Sequence, residues 1–345
     1  DAHELELAIA LCMLNSSLQQ LQQADRVFLL AAYRFEEVKD YDMAFQCLRR
    51  CKSSAQEEIE RMILRWSCDD VEKASALYTQ HGIGSMEDLR AEAKRLEEEE
   101  ESSASEFQLV RVYTLTHQFE KAVRVGIQLM NKCIEKDNIT REARTVSKYL
   151  SSVKIQLFGK EEAVQIMAHE SFLGAKLAVD LKYTSVVPAL LRLCRVNVLC
   201  TSNPPFPVSL AKLTLLESQY LLDKHMMKDR MVLELQKIVT STDEYKSSTP
   251  EEKDEAIALL DQIMLNMSED YENQEVSLVG QNMPSAACKR AGVKSFITGE
   301  DIRGQEFWLM QRDGEKVAIS RSDAIMWHRC CAFSPLGDGS LFCPV

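Results

Sequence analysis

The chain has 345 residues, 46% of them apolar, and carries 41 basic against 53 acidic side chains, a net charge of −12. That apolar share supports a large core and excludes general disorder. The acidity argues against nucleic acid as a partner, because phosphate binding needs a basic surface. No apolar run reaches the roughly 18 residues of a membrane span, and residues 1–30 carry charges within an amphipathic pattern, unlike a signal peptide.

Glycine and proline are scarce and unevenly placed. There are 12 Gly and 8 Pro; no proline precedes Pro188, and seven glycines lie at or after Gly280. Apolar residues recur at helical spacing as far as residue 270, beginning with the stripe Leu5, Ile9, Cys12 and Met13. The spacing predicts helices over 2–22, 24–38, 41–52, 54–66, 69–80, 85–101, 105–116, 118–135, 138–157, 160–179, 183–199, 206–220, 223–240 and 250–270, joined by short connections. The acidic run Glu97 to Glu101 reads as a solvated helix end. Thr201-Ser-Asn-Pro-Pro-Phe-Pro207 breaks the helical part, since consecutive prolines cannot continue a helix. Thr249 can cap a helix with Pro250 in its first turn.

Beyond residue 275 the pattern changes. Residues 305–310 and 315–320 read as two strands around Asp313-Gly314, a strong hairpin signal. Ser322 to Trp327 reads as a short helix capped near Ser322 or Asp323, and Ser334-Pro-Leu-Gly-Asp-Gly339 as a loop. The expected fold class is therefore mostly α: an α-solenoid of antiparallel helix pairs followed by a small C-terminal α+β module. The expected domains are repeats over 1–200, a continuation over 201–275 after the Pro-rich break, and the module over 276–345. The chain opens with Asp1 already in a helical pattern, so it is expected to be the C-terminal part of a longer protein.

Three segments share a helix-pair signature. Phe28 to Phe35, with Ala32 at a small position, leads into Lys39-Asp-Tyr-Asp-Met-Ala44 and then Leu48 and Cys51. A second copy places Tyr113 before Gln118-Phe-Glu-Lys-Ala122, and a third is Phe158-Gly-Lys-Glu-Glu-Ala163. A small residue is needed where two helices touch. The signature resembles the tetratricopeptide repeat in degenerate form. Val110 stands where the second copy would have a small residue, and the alanines lie 78 and 41 residues apart, not at multiples of about 34. The resemblance implies packing roles for Ala32, Phe35, Ala44, Tyr113, Ala122 and Ala163, and an array that binds other protein subunits.

Phe296-Ile-Thr-Gly-Glu300, Arg312 to Trp327 and Phe333-Ser-Pro-Leu336 resemble a U-box, the RING-type fold in which packing and hydrogen bonds replace zinc. Gly304-Gln-Glu-Phe307 stands where that family has Asp-Pro-Val. The resemblance places Ile297 and Pro335 in loops that contact a ubiquitin-conjugating enzyme, with Trp327 in the groove between them. Repeats followed by such a module also resemble the C-terminal parts of intraflagellar-transport and coat-like subunits, an architectural analogy.

The sequence carries no recognised catalytic signature. Gly82-Ile-Gly84 is not a phosphate loop, and no Gly-x-Ser-x-Gly or His-Glu-x-x-His occurs. Of the six histidines (His3, His81, His117, His169, His225 and His328), His117 and His169 are expected at capping or surface positions. The methionines in Leu221 to Met227 read as core. Most of the eleven cysteines, including Cys12, Cys47, Cys133 and Cys194, sit singly on apolar faces, which predicts reduced thiols in the cytoplasm. His328, Cys330, Cys331 and Cys343, with Cys288 and His225, are weak zinc candidates, too crowded or too isolated for paired ligands. No cofactor is expected. The expected function is a non-enzymatic interaction scaffold within a multiprotein assembly, cytoplasmic and by resemblance ciliary. The alternative is a ubiquitin ligase using the degenerate U-box.

Overall fold

A computed structural model describes residues 22–51, 55–98, 103–201, 206–223, 229–270, 294–303, 306–312 and 315–342. Residues 2–21 of the first expected helix, His3 and Cys12 among them, the end of the acidic run, Pro204-Pro205, His225, Cys288, Asp313-Gly314 and Cys343 lie outside the described residues. Within them the chain is mostly α. The helices are α1 (Gln22–Glu37), α2 (Tyr41–Leu48), α3 (Ala55–Ser67), α4 (Val71–Gln80), α5 (Met86–Glu98), α6 (Ser103–Leu115) and α7 (Phe119–Glu135). They continue as α8 (Arg141–Ser152), α9 (Lys160–Asp180), α10 (Val187–Leu199), α11 (Leu210–Asp223), α12 (Asp229–Val239) and α13 (Pro250–Asp270). A hairpin of β1 (Phe307–Arg312) and β2 (Glu315–Ser320) then leads into α14 (Arg321–Cys330).

The chain forms two compact units. One holds the described residues up to 126 together with 148–158; the other holds 127–147 and 159–342. Consecutive helices pack on each other. In the first unit α1 packs on α2, α2 on α3, α3 on α4 and α5 on α6; in the second α9 packs on α10, α10 on α11, α11 on α12 and α12 on α13.

Most helix boundaries follow from local chemistry. Asp40 and Asp70 cap α2 and α4 by accepting from the Met43 and Lys73 amides. Thr249 caps α13 as the sequence predicts, accepting from the Glu252 amide at 3.2 Å while Glu252 accepts from the Thr249 amide at 2.8 Å. Among the boundaries that differ from expectation, two have a plain local cause. The helix expected over 138–157 stops at Ser152, where Ser151 and Ser152 both donate to the Lys148 carbonyl; a short 3₁₀ turn, Ile155–Leu157, follows. The helix expected from residue 183 starts at Val187, because Pro188 suits only a first turn.

The scarcity of glycine has a structural counterpart. Five helices end in the same turn with a residue other than glycine at positive φ: Lys39 (63°), His117 (60°), Asp137 (46°), Lys182 (60°) and Ser241 (54°). After α1, the Lys39 amide donates to the Glu36 carbonyl and the Asp40 amide to the Phe35 carbonyl. The same two bonds recur after α6, α7, α9 and α12. This is the Schellman turn, which usually takes glycine because a Cβ is strained in that conformation.

The C-terminal residues fold against α9. β1 and β2 are antiparallel, in register from Phe307↔Ser320 to Arg312↔Glu315, so the first strand lies two residues later than expected. The cap of α14 is Ser320, not Ser322 or Asp323. As the last residue of β2 it is already extended, and its Oγ accepts from the Asp323 amide at 3.1 Å. The Ala332 amide donates to Glu170 on α9, and Gly174 brings the α9 backbone close to the end of α14. A Cβ at Gly174 would lie 2.5 Å from the Cys330 carbonyl oxygen, so close approach requires glycine there.

Candidate interaction surfaces

The two fullest copies of the repeat signature share one local geometry. Five residues separate Lys39 from Ala44 and His117 from Ala122, and each pair spans the turn and the start of the second helix. Ala32, Ala44 and Ala122 have no exposed surface, Tyr113 is buried and Phe35 is half-buried. The third copy is built differently: Ala163 is half-buried in α9 and follows the 3₁₀ turn rather than a Schellman turn.

α3 carries a row of inward-facing charges. Glu60 is 1% exposed and accepts from Arg111 Nε at 2.8 Å, from Arg111 Nη2 at 2.7 Å and from the Tyr149 hydroxyl. Glu58 is bound by Arg61 and Arg65, and Arg65 also grips Glu36 at 2.8 and 2.9 Å. Burial opposes ionisation of Glu58, yet the two guanidinium groups hold its carboxyl below the ordinary value. Paired charges of this kind fix helix register.

The second unit has two counterparts. Arg195, 2% exposed, lies between Glu217 and Glu234, and Glu234 also accepts from the Tyr245 hydroxyl at 2.8 Å. Burial raises the Glu217 carboxyl despite Arg195. His169 sits inside α9 at 2% exposure, which corrects the expected capping or surface position. Its Nδ1 meets the Gln165 carbonyl at 2.7 Å, its Nε2 meets the Asn131 side-chain Oδ1 at 2.6 Å, and Phe206 stands edge-on to the ring. Burial pushes its pKa down to about 4, so the ring is neutral near pH 7. A periodicity argument misses this residue, because α9 is buried nearly all round from Gln165 to Ala175.

The depressions along α4 are shallow. One, of about 590 Å³, is lined by Trp66, Asp69, Asp70, Val71, Glu72, Lys73 and Lys154; a second, beside it, runs to Met86 and Arg90. Trp66 is already covered. Tyr41 stacks on it at 3.8 Å and the Lys73 ammonium lies 4.0 Å from its centre, positions that require opposite faces of the ring. Asp69 and Lys154 are paired at 2.6 Å. The depression thus offers neither a free aromatic face nor an unbalanced charge at that pair.

In the C-terminal part, Trp327 has no exposed surface and its indole N–H donates to the Phe333 carbonyl at 2.8 Å. Ile297 is 6% exposed and Pro335 is half-buried. His328 Nδ1 meets the Phe342 carbonyl at 2.8 Å, and Cys330 and Cys331 are buried, the Cys331 thiol raised well above its ordinary pKa by desolvation. Among the described residues no three His, Cys, Asp or Glu side chains are grouped to hold a metal ion. No described helix is long and apolar enough to cross a membrane. No family model matches the chain, and no solved structure matches it.

Proposed function

We propose that this chain is a protein–protein interaction scaffold: a degenerate tetratricopeptide-like array with a U-box-like end, forming part of a subunit of a larger cytoplasmic assembly. The observation that carries the reading is the repeated helix–turn–helix geometry. Two segments far apart in sequence use the same left-handed turn five residues before an alanine with no exposed surface. Repeats of this kind hold neighbouring helices at a fixed spacing and leave outer helix faces for partners. The resemblance to intraflagellar-transport and coat-like subunits suggests a ciliary or coat-like setting for that assembly.

Affinity capture of the whole chain from cell extract at physiological salt, followed by light scattering of the eluted complex, tests this reading. Stoichiometric co-purifying subunits are the expected result. A chain that elutes alone as a monomer from every extract tried would overturn it.

A further inference from the structure

We propose that the outer face of α13 is a docking site for a basic amphipathic helix of a partner protein. The inference deepens the scaffold reading and rests on it. α13 buries one side, where Ala256, Leu259 and Ile263 join a core with Leu215, Leu235 and Ile238. An ordinary surface helix would be polar on the other side. Here Ile257 is 43% exposed, Met264 61% and Leu265 66%. Ile257 and Met264 lie seven residues apart, two helical turns along one stripe, with Leu265 beside the second.

Charge selects the occupant. α13 carries seven acidic residues and a single lysine, Lys253. Some of those carboxylates are already engaged: Glu255 pairs with Lys212 at 2.9 Å, and Glu252 takes the Ser209 hydroxyl and the Thr249 amide. Asp254 and Asp261 are exposed and make no ion pair or hydrogen bond among the described residues. Both fall on the same side as Ile257 and Met264, at positions i and i+7 around them. The face therefore alternates acid and apolar groups along its length. A second copy of this chain would bring like charges together, at a cost in affinity. A partner helix with an apolar stripe flanked by Lys or Arg matches both features, and the unbranched Met264 can adapt its shape to such a stripe.

The test is fluorescence anisotropy with the whole purified chain and three synthetic peptides. The first is a Leu/Lys helix with its leucines on a heptad seam, the second has Glu in place of Lys, and the third scrambles the first so that no seam remains. The first peptide is expected to bind at least about tenfold more tightly than the other two. Met264→Gln and Ile257→Gln are each expected to weaken it about tenfold, the usual effect of losing an apolar anchor. Asp254→Asn combined with Asp261→Asn is expected to flatten its salt dependence. Equal binding of the scrambled peptide, equal binding of the acidic peptide, or no binding would each overturn the proposal. A dimer of the chain that Met264→Gln dissociates would also overturn it, by making a second copy the occupant. Partner capture by a chain that ignores the peptide removes the α13 site alone. A bound peptide without any captured partner removes the scaffold reading alone.

Discussion

α3 and α13 are inverted relative to each other. α3 turns Glu58, Glu60 and Arg65 inward, while α13 turns Ile257, Met264 and Leu265 outward. Each departs from the rule of apolar inside and polar outside, and the consequences differ. A charge buried on α3 is tolerable only because a counter-charge meets it, from Arg111 on α6 for Glu60 and from Arg61 and Arg65 on α3 itself for Glu58. An apolar group exposed on α13 destabilises little and remains available to a partner. Interior exceptions of this sort specify how helices assemble; exterior exceptions specify what else can bind.

The largest expected effect comes from breaking the interior exception. Glu60→Ala leaves Arg111 and Tyr149 without their shared acceptor and is expected to destabilise the chain by about 3–5 kcal/mol, read as a lower urea midpoint. Replacing Glu60 and Arg111 together by Met removes both charges and is expected to cost clearly less. On α13 the Met264→Gln change should stay within about 0.5 kcal/mol of wild type. Equal losses at Glu60 and Met264 would erase the distinction between the two helices.

Acid sharpens it further, because Glu58 on α3 and His169 on α9 are buried in opposite charge states. Glu58 must be charged, and its folded pKa lies below the ordinary value, so its contribution is lost only as pH falls below that range. His169 must be neutral. Its pKa falls from 6.5 to about 4 on folding, so the unfolded chain binds the extra proton between those values. Stability tied to His169 is complete above pH 6.5, declines as pH falls towards 4, and changes no further below that. The shift corresponds to roughly 3 kcal/mol at about 1.36 kcal/mol per pKa unit. Hydrogen exchange on α9 should therefore accelerate, relative to α3, between pH 6.5 and 4.5. His169→Gln should abolish that differential, and simultaneous loosening of both helices would contradict it.

The helices were legible because apolar spacing and the lack of proline are local signals. So was the Thr249 cap, where donor and acceptor lie three residues apart. The charged row on α3 was not legible. Glu60 meets Arg111 and Tyr149, which are 51 and 89 residues away, and nothing local distinguishes it from a solvated glutamate. His169 escaped for a similar reason: Asn131 and Phe206, on either side of α9 in sequence, complete its surroundings. Ile257 and Met264 were visible as apolar residues, but the spacing marks only a helix over 250–270 and does not tell which of its faces is buried. Of the alanines that the repeat signature marks, Ala44 and Ala122 have no exposed surface and Ala163 is half-buried.

The smallest expected effect concerns the turns, which the two units share. Lys39 in the first unit and Lys182 in the second are both exposed and both held at positive φ, at 63° and 60°. The Cβ strain there is relieved by glycine, and neither lysine makes an ion pair among the described residues that the substitution would remove. Lys39→Gly and Lys182→Gly are each expected to stabilise by up to about 1 kcal/mol, partly offset by the greater freedom of glycine in the unfolded chain. Alanine at either position retains the strain and should give no such gain. A loss on Lys→Gly would mean that the lysine side chain itself holds the turn. Because the two turns have the same geometry, gains of similar size at both positions are the expected pattern. A gain in one unit alone would show that packing around the turn, rather than its backbone, sets the balance.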